Sequence, residues 1–273
     1  MPNAKIEKIV LSARERTYEI AEAELVEQMR LLGLTRSDIA DVLKRLEDTE
    51  ARFGPAGRLA LLRDTTQSIQ RLSGMYLALG AGLAASIQTS LSEGYLQGEQ
   101  VALEIAAHLG ERLIPAESML SALQSQVIPF ADNATRALEA RIRGELVRGV
   151  YAGETIPALT QRLIGAGLDS KGTPWKTASA RAEATIRTEA SRGFHSAMRT
   201  NLDPQPWITG YMWQCYFSGE WPCYICRPLC GRFFPKEQLI SSAGNAVRHP
   251  PIHPNCLCVL LPVTKQYGLH TID

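Results

Sequence analysis

The sequence predicts a mainly α-helical chain that ends in a small α+β module: a helical N-terminal arm, a helical bundle segment, then a subdomain of short strands. Three observations carry this reading. Up to Asn201 the apolar residues recur at helical steps, and no strand-like alternation interrupts them. After Asp203-Pro204-Gln205-Pro206 the composition changes, and Trp207, Tyr211, Trp213, Tyr216, Phe217, Trp221 and Tyr224 crowd together without a helical period. The stretch from Trp221 to Pro262 then holds five of the six cysteines and two of the five histidines.

Along the arm, Tyr18, Ala21, Leu25, Met29 and Leu32 lie three or four residues apart, which places one apolar stripe on a charged helix running from about Ala4 to Leu32. Gly33 is expected to stop it and Thr35 to cap a second helix to about Phe53, where Gly54-Pro55-Ala56-Gly57 breaks the chain. Further helices are expected at about 58–72, 75–92, 95–109 and 116–127, divided by Gly, Pro and Ser. The apolar run from Met75 to Ile87 is too short for a bilayer and reads as a tightly packed helix. Most such stripes are core packing, but an extended helical arm also offers a docking face for a partner protein.

From Ala131 to Val150 the pattern stays helical, followed by a turn at Tyr151 to Pro157 and a short helix to about Ile164. Gly165 to Pro174 reads as an exposed loop, and Lys176 to Asn201 as one long helix. Ile208 to Phe217 is the best strand, and Cys256 to Leu261 is its expected partner, ended by Pro262. Gly231 to Pro235 and His249 to His253 are expected as irregular loops.

Charge is nearly balanced, 29 basic against 28 acidic side chains, which argues against a protein whose main work is coating nucleic acid. No leader-like segment opens the chain, and a soluble protein made in a cytoplasm is expected.

Cys223-x-x-Cys226 has the spacing at which a tight turn lets two thiolates converge on one cation, with Cys230 close behind. In His253-Pro-Asn-Cys256-Leu-Cys258 the two cysteines share a face if the segment is extended. Five good donors, Cys223, Cys226, His253, Cys256 and Cys258, thus compete for four tetrahedral positions. Soft thiolates with an imidazole favour zinc, as a structural ion that ties down loops where a core cannot. The alternatives are a disulfide or redox pair, which a reducing cytosol opposes, and plain buried thiols. Cys215 lies outside both clusters, so Cys215→Ser is expected to be nearly silent.

Pro222-Cys223-Tyr224-Ile225-Cys226 also matches half of a zinc-deaminase signature, but the upstream H-x-E is missing, since Ser196-Ala197 follow His195. Neither cluster contains a carboxylate to act as general base, which weighs against a zinc or cysteine enzyme. A nucleic-acid-binding module using Arg227, Arg232 and Arg248 is a further alternative. On the long helix, Glu183 and Arg187, and Glu189 and Arg192, stand at contact spacings, as on a solvated ion-paired face. Arg187 and Glu189 lie about 200° apart around a helix, so one of them faces inward. The Arg187-Thr188-Glu189 step is expected to brace the long helix against the zinc module, with Glu189 facing inward and accepting hydrogen bonds from the His253 ring or from backbone donors of the module.

The order of these pieces resembles the phage Mu F-like minor head, or head morphogenesis, proteins. Arg187-Thr188-Glu189 stands in a long helix, followed by Trp213, Cys223-x-x-Cys226, Gly231, His253-Pro254-Asn255-Cys256-Leu257-Cys258 and a trailing Pro262. The segment from Arg141 to Thr155 is similar to the helix-turn piece before that motif. Ile186 stands where the family has alanine, and Leu257 where it has arginine. The likeness covers residues 130–262 and implies two regions, a helical partner-docking region at 1–129 and a head morphogenesis domain at 130–273 with its zinc module at 205–262. It further implies a non-enzymatic minor capsid protein in the virion head, made in the bacterial host cytoplasm. The implied partners are the portal protein and other head proteins, with packaged DNA as a further contact and no membrane.

Overall fold

The computed structural model describes residues 3–53, 58–114, 116–125, 127–152, 154–155, 158, 174–216 and 223–265. Four long helices dominate: α1 (Ala4–Phe53), α2 (Arg58–Leu109), α4 (Val127–Tyr151) and α5 (Pro174–Leu202), with a short α3 (Leu120–Gln124) between. Among the described residues the strands all follow α5: β1 (Ile208–Gln214), β2 (Phe233–Pro235), β3 (Ile240–Ser242), β4 (Asn245–Val247) and β5 (Val259–Thr264). The expected class therefore holds, a mainly helical chain with a small C-terminal strand module. Among the described residues no helix is long and apolar enough to cross a membrane.

The helices are fewer and longer than expected. Gly33 does not stop α1, because Ile39, Leu43 and Leu46 beyond it share one buried face with Leu32 before it, and that burial outweighs the roughly 1 kcal/mol cost of a helical glycine. Thr35 does not cap a new helix but donates its hydroxyl back to the Leu31 carbonyl at 3.0 Å. The helices expected at 58–72, 75–92 and 95–109 are one helix, α2, with Gly74, Gly80, Gly82, Gly94 and Gly98 inside it. Of the helix expected at 116–127, only α3 forms. The short helix to Ile164 and the loop from Gly165 to Pro174 fall outside the described residues, save Ala158 and Pro174, the latter opening α5.

The chain divides into two compact units built from discontinuous segments, whereas the sequence places one boundary between 129 and 130. The first comprises residues 1–24, 87–126 and 184–273, and the second comprises 25–86 and 127–183. In the second unit Leu32, Ile39, Val42, Leu43 and Leu46 of α1 pack with Tyr76 and Leu79 of α2 and with Leu138 and Ile142 of α4. A buried hydrogen bond from Gln28 to Ser86, 2.9 Å, fixes the α1–α2 register there.

In the first unit the core is shared by helices and strands. Ile6, Val10 and Ala13 of α1 and Val101, Ala102 and Ile105 of α2 join Phe194, Met198 and Leu202 of α5, together with Tyr211, Trp213 and Val259 to Leu261 of the sheet. Helices α2 and α5 touch backbone to backbone. A side chain at Gly94 would run into the carbonyl of Ala190, one at Gly98 into that of Phe194, and one at Gly193 into that of Leu91. The small-residue faces thus set how closely the two helices approach.

The main sheet runs β2-β1-β5, antiparallel throughout. Two expectations fail here. Phe233 to Pro235 is a strand on β1 rather than an irregular loop. Pro262 does not end β5 but pairs opposite Tyr211, which a proline tolerates because β5 is an edge strand and needs no outward N–H. A separate hairpin, β3–β4, turns at Ala243 and Gly244, both at positive φ.

A buried polar knot fastens the sheet to the end of α5. Arg199, 4% exposed, grips Asp203 at 2.8 Å and donates to the carbonyls of Arg248 and Lys236. Its guanidinium lies 4.8 Å from the Tyr211 ring, whose hydroxyl donates to Asp203 at 2.6 Å. Satisfying nearly every donor in this way offsets the desolvation of a buried ion pair. Nearby, the buried His195 donates Nδ1–H to the Ser191 carbonyl at 2.8 Å, and Ser196 meets His249 Nε2 at 3.1 Å. Burial pulls His195 down to about 3 and His249 to about 4, so both imidazoles are neutral in the folded chain.

The two kinds of helical glycine predict opposite results. Gly98→Ala should destabilise by about 1–3 kcal/mol, because its methyl group meets fixed backbone. Gly33→Ala, with nothing within 4 Å, should stabilise by up to about 1 kcal/mol. Urea unfolding of the two variants checks this, and equal shifts would contradict the close α2–α5 approach.

Candidate metal centre

The first donor pair sits in a knuckle. The Cys226 and Arg227 N–H groups both donate to the Cys223 carbonyl, at 3.1 and 3.0 Å, and a 3-10 turn over Arg227–Leu229 follows. This turn points both sulfurs the same way, and Cys226 N–H also lies 3.4 Å from the Cys223 sulfur. Leu229, fully buried, plugs the turn into the core, and Gly231 at positive φ leads the chain back to β1, where its N–H donates to Trp213 O at 2.8 Å.

The second set comes from the turn before β5. Cys256 N–H donates to the His253 carbonyl at 3.2 Å, with Asn255 at a positive φ that asparagine accepts better than most residues. Cys256 and Cys258 are both buried with Leu257 half-buried between them, an alternation that matches an extended backbone, though the segment lies ahead of β5 rather than in it. Cys256 is held further by Tyr18 of α1, whose hydroxyl donates to its carbonyl at 3.3 Å.

These two segments converge. Cys223, Cys226 and His253 form one triad and Cys226, Cys256 and Cys258 another, with the donor atoms of each within 4.8 Å of one another. Cys226 belongs to both. His253 Nε2 is 3.0 Å from the sulfurs of Cys223 and of Cys226, and the Cys226 and Cys256 sulfurs are 3.7 Å apart. That last separation matches the edge of a tetrahedron with metal–sulfur bonds of about 2.3 Å, whose edge is about 3.8 Å. The His253 ring is oriented as a ligand needs: Nδ1–H donates to the Pro254 carbonyl at 2.7 Å, and Nε2 is the nitrogen turned toward the sulfurs.

Electrostatics points the same way. The hydrogen bond from Cys226 holds the Cys256 thiol far below the usual range, while the same contact pushes Cys226 up. Cys226 pulls Cys258 down, but Cys256 and burial together push it up to about 12. His253 is raised to about 9, chiefly by Cys256. A cluster in which one thiolate raises its neighbours and holds the proton on the imidazole cannot ionise fully by itself, and a bound cation lets the remaining thiols and the ring give up their protons. The indole N–H of Trp213 is buried here without a hydrogen-bond partner. By donor type, burial and spacing the five residues fit a metal ion.

Not every cysteine follows its expected part. Cys215, taken as a bystander, is joined to Cys230 in a disulfide, with Cα atoms 5.3 Å apart. The sequence separates these residues by fifteen positions, and β1 and the 3-10 turn bring them together, so no short spacing announces the pair. The expectation that Cys215→Ser is nearly silent is therefore withdrawn.

The brace is also redistributed. Arg187 donates Nε–H to Glu22 of α1 at 2.8 Å, so it does not serve only the ion-paired face expected with Glu183. Glu189 does turn inward, with 13% of its side chain exposed, and burial raises its pKa. Its partner is Arg192 at 3.2 Å, however, and the His253 Nδ1–H it was expected to accept is taken by the chain's own Pro254 carbonyl. The residue between them makes the contact instead: Thr188 Oγ1 accepts the Asn255 N–H at 3.1 Å and so holds the turn that carries His253 and Cys256. The same 200° argument leaves Thr188 on a third face of the helix, which was the available signal.

The chain matches no family model, no curated protein and no solved structure.

Thr188→Val removes the only acceptor shown for Asn255 N–H and should weaken metal binding by about tenfold, in the range seen when an outer support of a ligand is lost. Thr188→Ser should restore it. Competition against a chromophoric chelator gives the affinities, and a valine variant with unchanged affinity would remove Thr188 from the site.

Proposed function

We propose that the chain is a head morphogenesis protein of the phage Mu F-like type, a minor capsid component that works by assembly, with a structural zinc ion at the five-donor cluster. The observation that carries the reading is the convergence of the motif pieces. Thr188 on α5, Trp213 on β1, the Cys223–Cys226 knuckle and the His253–Cys258 segment are dispersed in sequence, yet they meet around one centre in one unit.

Zinc suits this centre because thiolates and one imidazole are its preferred donors in closed structural sites. Such an ion supplies cross-linking rather than chemistry. The short β2, the coil from His249 to Cys258 and the knuckle have few backbone ladder bonds of their own, and a common ion ties them together. Neither triad includes a carboxylate that could serve as a base, which supports a structural reading over a hydrolytic one.

Assembly also needs surfaces. On α2, Leu96 and Leu103 stand seven residues apart on one face and are 50% and 54% exposed, a pair of apolar anchors flanking Glu99 and Gln100 that would suit a protein partner such as the portal or another head protein. In this reading the virion head is the protein's destination and the host cytoplasm its place of synthesis.

Sedimentation of particles from induced producer cells tests the proposal. The chain should travel with DNA-filled or empty heads at a few copies per particle, and deleting it should leave particles that are not infectious. Particles that lack it and remain fully infectious would overturn the assignment.

A further inference from the structure

The disulfide has no part in the reading above, yet it closes directly around the metal centre. Cys215 follows the last residue of β1, and Cys230 follows the 3-10 turn. The fifteen-residue span they close contains both knuckle donors, Cys223 and Cys226. The two disulfide sulfurs also lie 3.6 and 3.4 Å from the carbonyl oxygen of Cys226, the donor common to both triads. Cys226 is thus packed against the disulfide on its backbone side while its sulfur faces His253 and Cys256.

We infer that Cys215–Cys230 is a redox lock on metal retention: intact, it holds the Cys223–Cys226 knuckle in the liganding geometry, and its reduction by a dithiol releases the knuckle and speeds loss of the ion. The inference rests on the metal reading of the five-donor cluster.

The chemistry balances without further reagents. A thiolate of the dithiol attacks the Cys230 sulfur, which is half-buried where that of Cys215 is buried. The S–S bond breaks and Cys215 leaves as a thiolate that takes up a proton. The second thiol of the reductant then attacks the mixed disulfide, freeing Cys230 as a thiol and closing the reductant into its own disulfide. Two electrons pass from the dithiol to the protein, and no ligand sulfur is consumed.

What changes is the freedom of the loop. With the cross-link intact the knuckle's conformations are few, so the ion meets donors already gathered. Once it opens, the knuckle keeps its local turn, the 2.8 Å hydrogen bond from Gly231 N–H to Trp213 O on β1 and the 2.6 Å hydrogen bond from Ser242 to the Ile225 carbonyl, but loses its covalent closure to Cys215. Closing a loop of this length carries a large entropic term, enough to change retention by at least about tenfold. The His253–Cys256–Cys258 segment lies outside the closed span and keeps its own supports from Thr188 and Tyr18. Reduction therefore acts on one half of the centre.

The test uses the full chain loaded with zinc, and follows transfer of the ion to a chromophoric chelator before and after reduction with a phosphine, which unlike a dithiol does not compete strongly for zinc. Alkylation and mass spectrometry establish the state of Cys215 and Cys230 in each sample. The expected result is release at least about tenfold faster after reduction, with the slow rate restored on reoxidation. A Cys215→Ala, Cys230→Ala double variant should release at the fast rate and ignore the phosphine. If that variant does not fold, the reduction and reoxidation of the unaltered chain still decide the matter. Equal or slower release from the reduced chain, with zinc bound in both states, overturns the lock and leaves the metal centre standing. A chain that takes up no zinc in either state overturns the metal reading and the lock with it.

Discussion

The structure of the first unit depends on the meeting of two short cysteine segments at Cys226. Its sulfur is shared by both donor triads, and its backbone lies against the disulfide. Buried thiols this close cannot all ionise unaided, because each thiolate opposes the next. A divalent cation removes that conflict and converts a set of mutually hostile groups into a cross-link. The strands around it are short, and Cys226, Cys256 and Cys258 belong to the same hydrophobic core as Trp213 and Leu229. In the proposed zinc-bound chain, coordination and core packing would therefore be one cooperative event, because the donors are themselves part of that core.

Helix α5 organises what the cluster fastens. One side approaches α2 through glycine and alanine, so closely that backbones touch. Its C-terminal end carries Arg199, which binds the carbonyls of Arg248 and Lys236 and so reaches both the segment before the second donor set and the turn after β2. In its middle, three consecutive residues divide the work. Arg187 reaches α1, Thr188 supports the ligand turn, and Glu189 pairs with Arg192 in a half-buried setting. A tripeptide cannot face one way on a helix, and here each direction has its own partner.

Much of this was legible in the sequence. The helical class follows from stripes such as Leu25, Met29 and Leu32, because burying one face of a helix imposes that period. The donor residues follow from C-x-x-C and H-x-x-C-x-C spacing, because turn geometry fixes which side chains can converge locally. What stayed hidden required knowledge of tertiary neighbours. A glycine inside a helical pattern signals either a stop or a close approach, and only the position of α5 shows that Gly94 and Gly98 are the latter. Pro262 could continue β5 because the strand is at an edge, which is a property of the sheet and not of the segment. The Cys215–Cys230 pair arises only once β1 and the knuckle are in place. Within the bracing step Arg187-Thr188-Glu189 the contact fell to Thr188 rather than Glu189, because the need on that face was one acceptor for a backbone N–H.

X-ray absorption at the metal edge on the purified full chain measures the central claim directly. A sulfur-dominated shell at about 2.3 Å with a single imidazole contribution, at one ion per chain, is the predicted result. A shell of oxygen and nitrogen without sulfur, or a folded chain that carries no metal, would contradict the account.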